Sequence, residues 1–492
     1  MTFPRDALLS CAQMGEADRL TIEAGTPGFT LMRRAGQGAA TAIRRRYRPA
    51  PVLVACGPGN NGGDGFVVAD DLRRHGWPVR VALLGGRAAL KGDAAEAAAL
   101  WGGKVEPLTL EALDDVSLLV DALFGAGLAR PIDGAAAAFL NEAAVRIAGR
   151  RLRSIAIDMP SGVHGDHGRV MGTACPADLT VTFFRRKPGH LLMSGRTLCG
   201  DVRVIDIGID EDRAQRITPI ARVNTPALWR AALPVPGPAD HKYSRGHVLV
   251  IAGRMTGAAR LAAQAARRIG AGLVTVLCPP GQEAIIAADA PGLIVQPWPE
   301  PDELAAFAHH RKARTLVVGP GLGTDDDARA MAEAALKAGV PSVLDADVFT
   351  LFSGRADDVA GWLGAPAVLT PHEGEMWRFL PDLDLAAQGR LEVVRRAVDR
   401  VRAVVLLKGP DTTIKAPGGP FVICEGAPAS LATGGSGDVL AGAIGGLMAQ
   451  GMPADRAAAA GAWMHAEAAR RCGQGLVAED LIGALATVRW NA

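Results

Sequence analysis

Short, almost unbroken apolar runs recur along this chain. Each is followed by a segment whose apolar positions return every three or four residues. In the first half the runs are PVLVAC (51–56), VRVALL (79–84), SLLVDALFG (117–125), SIAIDMPSG (154–162), LTVTFF (179–184) and VRVIDIG (202–208). They are short, β-rich and bounded by Gly, Pro and polar residues, which predicts strands. Segments 93–101 and 133–148 read as helices between them, and Ser10 is placed to cap an opening helix through Leu20. Continuous apolar strands alternating with helices predict a parallel sheet covered on both faces.

A second series follows a Pro-rich stretch, LPVPGPADHK (233–242). Its strands are expected in HVLVIAG (247–253), LVTVLCP (273–279), TLVVGPGLG (315–323), PSVLDAD (341–347), AVLTPHEGE (367–375) and AVVLLKGP (403–410). Segment 412–426 reads as a hairpin turning at Gly418-Gly419. A glycine-rich loop then opens a helix in LATGGSGDVLAGAIGGLMAQG (431–451). The halves share no visible repeat. The expectation is an α/β protein of two domains, 1–215 and 223–492, with the join near 211–240 and a Rossmann-like parallel sheet in the first.

Composition changes this picture little. A chain of 492 residues exceeds one typical core. A formal net charge of +2 leaves no electrostatic footprint for nucleic acid, so no nucleic-acid partner is expected. Seven dispersed cysteines without a C-x-x-C suggest reduced thiols and a cytoplasmic location rather than a disulfide framework or zinc site. LLSC (8–11) has the residues of a lipoprotein cleavage site, but no basic or long apolar segment precedes it, and no signal is expected. No apolar run is long enough to span a bilayer, and no membrane association is expected.

The first candidate chemistry lies in VLVACGPGNNGGDGFVVA (52–69). Gly57, Gly59 and Gly62 have the G-x-G-x-x-G spacing of a dinucleotide-binding loop between strand and helix. Two features depart from that pattern. Asp64 adds a negative charge near the expected pyrophosphate, and the next run ends in Gly85-Gly86 where an acidic residue would grip the ribose. Ligands of open parallel sheets sit beyond the carboxyl ends of the strands. Three such ends carry GPGNNGGDG, DALFGAGLARP and DMPSGVHG, so Asn61, Asp121 and Ser161 are expected to converge. Their oxygens are hard ligands suited to an alkali or alkaline-earth ion. His164 and His167 lack a nearby third ligand and are read as solvated loop residues.

The ordered motifs GPGNNGGDG, DALFGAG and DMPSG resemble the NAD(P)H-hydrate epimerases over about 200 residues. The resemblance implies that Asn60, Asn61, Gly62, Gly63 and Asp64 contact a hydrated nicotinamide nucleotide. Gly125, Ala126, Gly127, Leu128, Ala129, Arg130, Pro131 and Asp158 would also contact it, and Asn61, Asp121 and Ser161 would bind K+. A dinucleotide-like loop then suits a damaged dinucleotide, with Asp64 facing the altered ring. The hydrated ring is a carbinolamine: protonating its hydroxyl lets the ring nitrogen expel water, and water returning to the other face inverts the centre. A positioned carboxyl supplies that step, Asp158 being the first candidate and Asp64 the second. Lys187 is either an orienting cation or plain surface charge.

In the second half, the glycines of TGGSGDVLAG at a helix N-terminus offer backbone N–H groups to phosphate oxygens, and Asp438 lies in the same turn. A closely packed glycine-rich helix with Asp438 as a cap is the plainer reading. The loop resembles the ribokinase-like fold. HKYSRGHVLVIAG, VVGPGLG, LTPHEGE, VVLLKGPDT and GGSGDVLAG together resemble ADP- or ATP-dependent NAD(P)H-hydrate dehydratases. That resemblance implies that Ala258, Gly321, His372 and Asp438 contact the hydrate, and that Lys408, Gly409, Pro410, Asp411, Thr412 and Gly437 hold the nucleotide. Asp438 would activate the ring hydroxyl toward a phosphoryl group, with Mg2+ neutralising charge. His372 is either a substrate contact or a satisfied strand-end residue. Ser436 stands where many relatives carry Thr, and the hydroxyl survives.

The expected partners are therefore hydrated NADH, hydrated NADPH and ADP, the fused architecture favouring ADP over ATP, in a homo-oligomer. The competing reading is a ribokinase-like small-molecule kinase whose first half is a non-catalytic nucleotide sensor or scaffold.

Overall fold

The computed structural model describes residues 3–288 and 290–490 and divides into two compact units, Met1–Arg222 and Val223–Ala492. In the first unit the strands are β1 (Ala7–Leu8), β2 (Val52–Cys56), β3 (Val79–Leu83), β4 (Val105–Pro107), β5 (Leu118–Ala122), β6 (Arg153–Ile157), β7 (Leu179–Phe183) and β8 (Asp201–Ile205), and β9 (Ala221–Val223) spans the division. Seven of them form a wholly parallel sheet in the order β4-β3-β2-β5-β6-β7-β8. All five residues of β2, β5 and β7 are buried, which is why these segments read as unbroken apolar runs rather than alternating ones. The short β1 pairs antiparallel with β9. The opening helix runs Cys11–Glu23, and Ser10 caps it with a capping box to Gln13.

The second unit adds β10 (His247–Ile251), β11 (Leu273–Cys278), β12 (Ile294–Pro297), β13 (Thr315–Val318), β14 (Ser342–Leu344), β15 (Ala367–Leu369), β16 (Val404–Leu407), β17 (Thr413–Lys415) and β18 (Phe421–Ile423). Their order is β18-β17-β16-β15-β14-β13-β10-β11-β12. The run from β16 to β12 is parallel, and β17 and β18 form the antiparallel hairpin. Helices Thr256–Arg268 and Ser436–Ala449 pack closely because glycine lets them. A Cβ on Gly442 would fall 2.0 Å from the Ala262 carbonyl oxygen, and one on Gly446 2.4 Å from Ile269 Cγ2. Close packing and an N-terminal loop thus coexist on one glycine-rich helix, serving different glycines.

The apolar pattern misses β1, β4, β9 and β12. These are two to four residues long, and β4 and β12 lie at sheet edges with few buried positions, so they carry almost no periodic signal. No helix among the described residues is long and apolar enough to cross a membrane.

Candidate functional site

The glycine-rich turn after β2 delivers the chain into helix Asn60–Arg74. Two of its glycines are demanded by backbone contact. A Cβ on Gly57 would sit 1.8 Å from the Leu123 carbonyl oxygen, and one on Gly62 1.9 Å from the Gly57 carbonyl oxygen. The turn is therefore pressed against the loop after β5. The two loops wall a cavity of about 600 Å³ that Asn60, Asn61, Asp64, Gly125, Ala126, Gly127, Leu128, Ala129, Asp158 and Lys187 line. Gly62 and Gly63 are buried behind it, Gly63 against Met32, and Arg130 and Pro131 are exposed beyond its wall.

Asp158 follows β6 with a left-handed φ of 67°, a costly conformation for a non-glycine residue. Its Oδ2 accepts from the Ala126 N–H at 2.9 Å, and its Oδ1 accepts from Thr182 Oγ1 at 3.0 Å and from Lys187 Nζ at 2.5 Å. Burial alone would raise its pKa, but the Lys187 ammonium beside it pulls the carboxyl down to about 2. Lys187 is 3% exposed, so the surface-charge alternative for it does not hold. His190 braces the same corner. The Lys187 N–H donates to its Nδ1 at 2.9 Å, so its Nε2–H donates to the Asp158 carbonyl oxygen at 2.9 Å. Burial holds His190 neutral, its pKa lowered to about 4.

Asp121 ends β5 and meets Ser161 directly. Ser161 Oγ donates to Asp121 Oδ1 at 2.6 Å and its N–H to Oδ2 at 2.8 Å, while the Phe124 N–H donates to Ser161 Oγ at 2.9 Å. Burial raises the Asp121 pKa, and the hydrogen bonds from Ser161 oppose it. Asn61 approaches the same loop, its Oδ1 lying 3.3 Å from where a Gly125 Cβ would be. The buried Asn61 Nδ2 has no hydrogen-bond partner. His164 and His167 stack at 3.8 Å, and no group of three or more His, Cys, Asp or Glu able to hold a metal occurs among the described residues.

The second unit gathers a different set around the first turn of helix Ser436–Ala449. Gly435 enters it with φ 86°. A Cβ on Gly437 would lie 3.3 Å from Lys408 Nζ and 3.7 Å from Asp345 Oδ2. Lys408 Nζ is 2.7 Å from Asp345 Oδ1 and 3.6 Å from Glu375 Oε2. Burial alone would lower the Lys408 ammonium, but Asp345 and Glu375 hold it above its ordinary pKa. Burial and the neighbouring Asp345 push the Asp438 carboxyl up to about 7, against the pull of Lys408.

Ala258 and Gly321 are brought together, a Cβ on Gly321 falling 3.1 Å from that of Ala258. His372 is the N-cap of helix Glu373–Phe379, its Nδ1 accepting from the Glu375 N–H at 3.2 Å, while its side chain remains 53% exposed. Gly409 and Thr412 close a turn, Thr412 Oγ1 donating to the Gly409 carbonyl oxygen at 2.8 Å. Asp411 is turned inward, 4% exposed and 3.3 Å from Arg390 Nε. Arg390 is itself buried and donates to the carbonyl oxygens of Leu407, Lys408 and Asp411.

Sequence reasoning did not single out Asp345, Glu375, Arg390 or Asp18 of the first cavity. Asp345 carried a usable signal, since it follows β14 at the carboxyl end of a parallel strand, the position that made Asp121 a candidate.

Two family models match this chain. One described as the N-terminus of YjeF-related proteins matches residues 28–189, and one described as NAD(P)H-hydrate dehydratase matches residues 248–484. A bifunctional NAD(P)H-hydrate repair enzyme of Coxiella burnetii is 36% identical over 484 residues, covering 95% of this chain and 96% of that protein. The protein of that name from Salinibacter ruber is 37% identical, covering 96% and 94%. A Bacillus subtilis ADP/ATP-dependent NAD(P)H-hydrate dehydratase co-crystallised with ATP/Mg2+ is 27% identical, covering 55% of this chain and 97% of that one, with a TM-score of 0.49.

Proposed function

The chain belongs to the family of bifunctional NAD(P)H-hydrate repair enzymes, and from that premise we propose how its two units divide the repair. The protein restores hydrated NADH and NADPH. Unit Met1–Arg222 interconverts the R and S hydrates, and unit Val223–Ala492, ribokinase-like, dehydrates the S hydrate at the expense of a nucleotide, with ADP as the donor. The similarity to repair enzymes along nearly the whole chain favours this reading over a small-molecule kinase with a silent first half. Seven free cysteines accord with a cytoplasmic setting.

One observation carries the epimerase assignment. Residues drawn from three separate strand ends, Asn61, Gly125 and Asp158 among them, face one cavity of about 600 Å³, a size suited to a small-molecule ligand. There the ring hydroxyl leaves as water, and water adds to the opposite face. The ionised Asp158 and its Lys187 partner orient the substrate. Asn61, Asp121 and Ser161 would hold K+. The unpartnered Asn61 amide is free to turn its oxygen toward a cation, and the Asp121 carboxylate has acceptor capacity beyond its bonds to Ser161. The ion would supply charge that ties the three loops together.

In the dehydratase unit, Asp438 accepts the proton of the ring hydroxyl as that oxygen attacks the terminal phosphoryl group. Its carboxyl, poised at about 7, is tuned for a base near neutral pH. The ring nitrogen then expels phosphate, and loss of a neighbouring proton restores the reduced nicotinamide. Lys408 and the backbone N–H groups of the glycine turn neutralise and position the phosphates. Asp345 and Glu375 would hold Mg2+, which would neutralise phosphate charge there. One or two carboxylates completed by phosphate and water is how Mg2+ is usually bound, and no complete protein cage is required.

The test incubates the purified protein with mixed hydrate epimers, alone and with ADP or ATP, and separates both epimers and the reduced cofactor over time. Exchange without nucleotide and restoration of both epimers with ADP are expected. A stable phosphorylated product in place of the reduced cofactor would overturn the dehydratase assignment.

A further inference from the structure

The titratable side chains facing the first cavity are Cys11, Asp18, Asp64, Asp93, Asp158 and Lys187. Asp158 and Lys187 are committed to each other. Cys11 keeps its proton, its Sγ donating to the Ala126 carbonyl oxygen at 3.1 Å and its thiol pushed up to about 12 by burial and by Asp166. Asp93 lies beside Gly28, where a Cβ would fall 2.4 Å from its Oδ2.

Among the described residues, three carboxyls of this cavity remain uncommitted, Asp18, Asp64 and Asp93, and of these Asp18 and Asp64 stand where the charges of Asp158 and Lys187 act on them. Both are half-buried, and neither side chain makes a hydrogen bond or ion pair with any described residue. They reach the cavity from different helices, Cys11–Glu23 and Asn60–Arg74. Met14, Asp18 and Ile22 follow one another at i, i+4 and i+8 and all line the cavity, so Asp18 is a single carboxyl set in an otherwise apolar helix face. Burial, with a lowering pull from Lys187 and a raising push from Asp158, brings the Asp18 carboxyl up to about 6. Burial, then the charges of Asp158 and Asp18, raises Asp64 well above the ordinary carboxylate range.

We propose that Asp18 is a catalytic proton-transfer residue of this cavity, exchanging a proton with the ring hydroxyl of the hydrated nicotinamide in partnership with Asp64. The proposal rests on the epimerase reading above. The protonated Asp18 carboxyl gives its proton to the hydroxyl oxygen. The carbon–oxygen bond breaks, its electron pair leaving with water, and the ring-nitrogen lone pair forms a carbon–nitrogen double bond. The cation so created faces the carboxylate that Asp18 has become. Water then adds to the other face, the double-bond electrons return to nitrogen, and Asp64 takes the proton the water releases. The enzyme ends with the proton on Asp64, the starting state for the opposite epimer, and proton exchange with solvent returns it to Asp18 before another turnover in the same direction. Asp158, fixed as an anion by Lys187, is an orienting residue and not the acid.

The full-length protein, without nucleotide, is given one purified epimer of hydrated NADH, and exchange is followed above the enzyme-free background. Asp18→Asn is expected to lower kcat at least about 100-fold with KM little changed, and Asp18→Glu to restore part of the rate. Wild-type exchange is expected to be bell-shaped in pH, because the active pair holds one proton, and Asp18→Glu to displace one limb. Thermal unfolding checks that each variant is folded, and the Asp18→Glu profile stands alone should Asp18→Asn not fold. Exchange by Asp18→Asn within about threefold of wild type, or unmoved limbs in Asp18→Glu, overturns the proposal and leaves the epimerase reading intact. Wild-type exchange no faster than background overturns the reading itself.

Discussion

Lys187 Nζ lies 2.5 Å from Asp158 Oδ1, with only 4% and 17% of the two side chains exposed. The Asp158 carboxyl, drawn down to about 2, has its folded pKa below the unfolded value of about 3.9. Its stabilising contribution is therefore complete above about pH 4 and lost as pH falls through about 2. Lys187→Met leaves the buried carboxylate without a counter-ion, at a cost of about 3–5 kcal/mol near neutral pH. The difference in Tm between wild type and variant is expected to narrow in acid, where the variant carboxyl is protonated. A gap that stays constant down to pH 2 would show that the pair is not its source.

Asp438→Asn is expected to reduce nucleotide-dependent restoration of the cofactor by about 100-fold or more while epimer exchange continues. The wild-type dehydration rate should rise with pH through about 7, since the base must be ionised. The same raised pKa works against stability. Here the folded value lies above the unfolded one, so the contribution is full below about pH 4 and lost as pH rises through about 7. Without bound ligand, Asp438→Asn should therefore be the more thermally stable protein at pH 8. Restoration within threefold of wild type would remove Asp438 from its assigned role.

Asp121→Ala removes the acceptor of two Ser161 hydrogen bonds. Loss of buried bonds of this kind costs about 1–3 kcal/mol. Epimer exchange is expected to be accelerated by K+ in the wild type, and in the variant to be slower and indifferent to K+. Equal K+ acceleration in both proteins would dissolve the assignment of Asn61, Asp121 and Ser161 to an ion.

Arg390→Met tests the support beneath the segment proposed to hold the nucleotide. Its guanidinium ties the carbonyl oxygens of Leu407, Lys408 and Asp411 together, and it fills the space beside Gly409, where a Cβ would fall 2.3 Å from Nη2. The loss should raise the KM for ADP about tenfold or more with a smaller change in kcat, and lower the Tm. An unchanged KM in a folded variant would mean that this segment does not position the nucleotide.

What the chain determined locally is read without coordinates. The buried strands β2, β5, β6 and β7 announce themselves as apolar runs because both sheet faces are covered, and the Ser10 cap follows from a side chain reaching three residues along. The glycine loop is legible as a motif, and Gly62 is required locally because a Cβ there would meet the Gly57 carbonyl oxygen, whereas Gly57 is required by Leu123 of a distant loop. Tertiary structure alone decided the charge states. Asp158 and Asp18 are indistinguishable as letters, yet one is drawn down to about 2 by Lys187 and the other raised to about 6 by burial. Lys187 reads equally as an orienting cation or as surface charge until the fold buries it, and Asp345 becomes part of a site only when β14 and β16 set it beside Lys408. Strand and helix depend on neighbours a few residues away, whereas a pKa depends on which charges and how much water lie within a few ångströms, and those neighbours come from segments far apart in the chain.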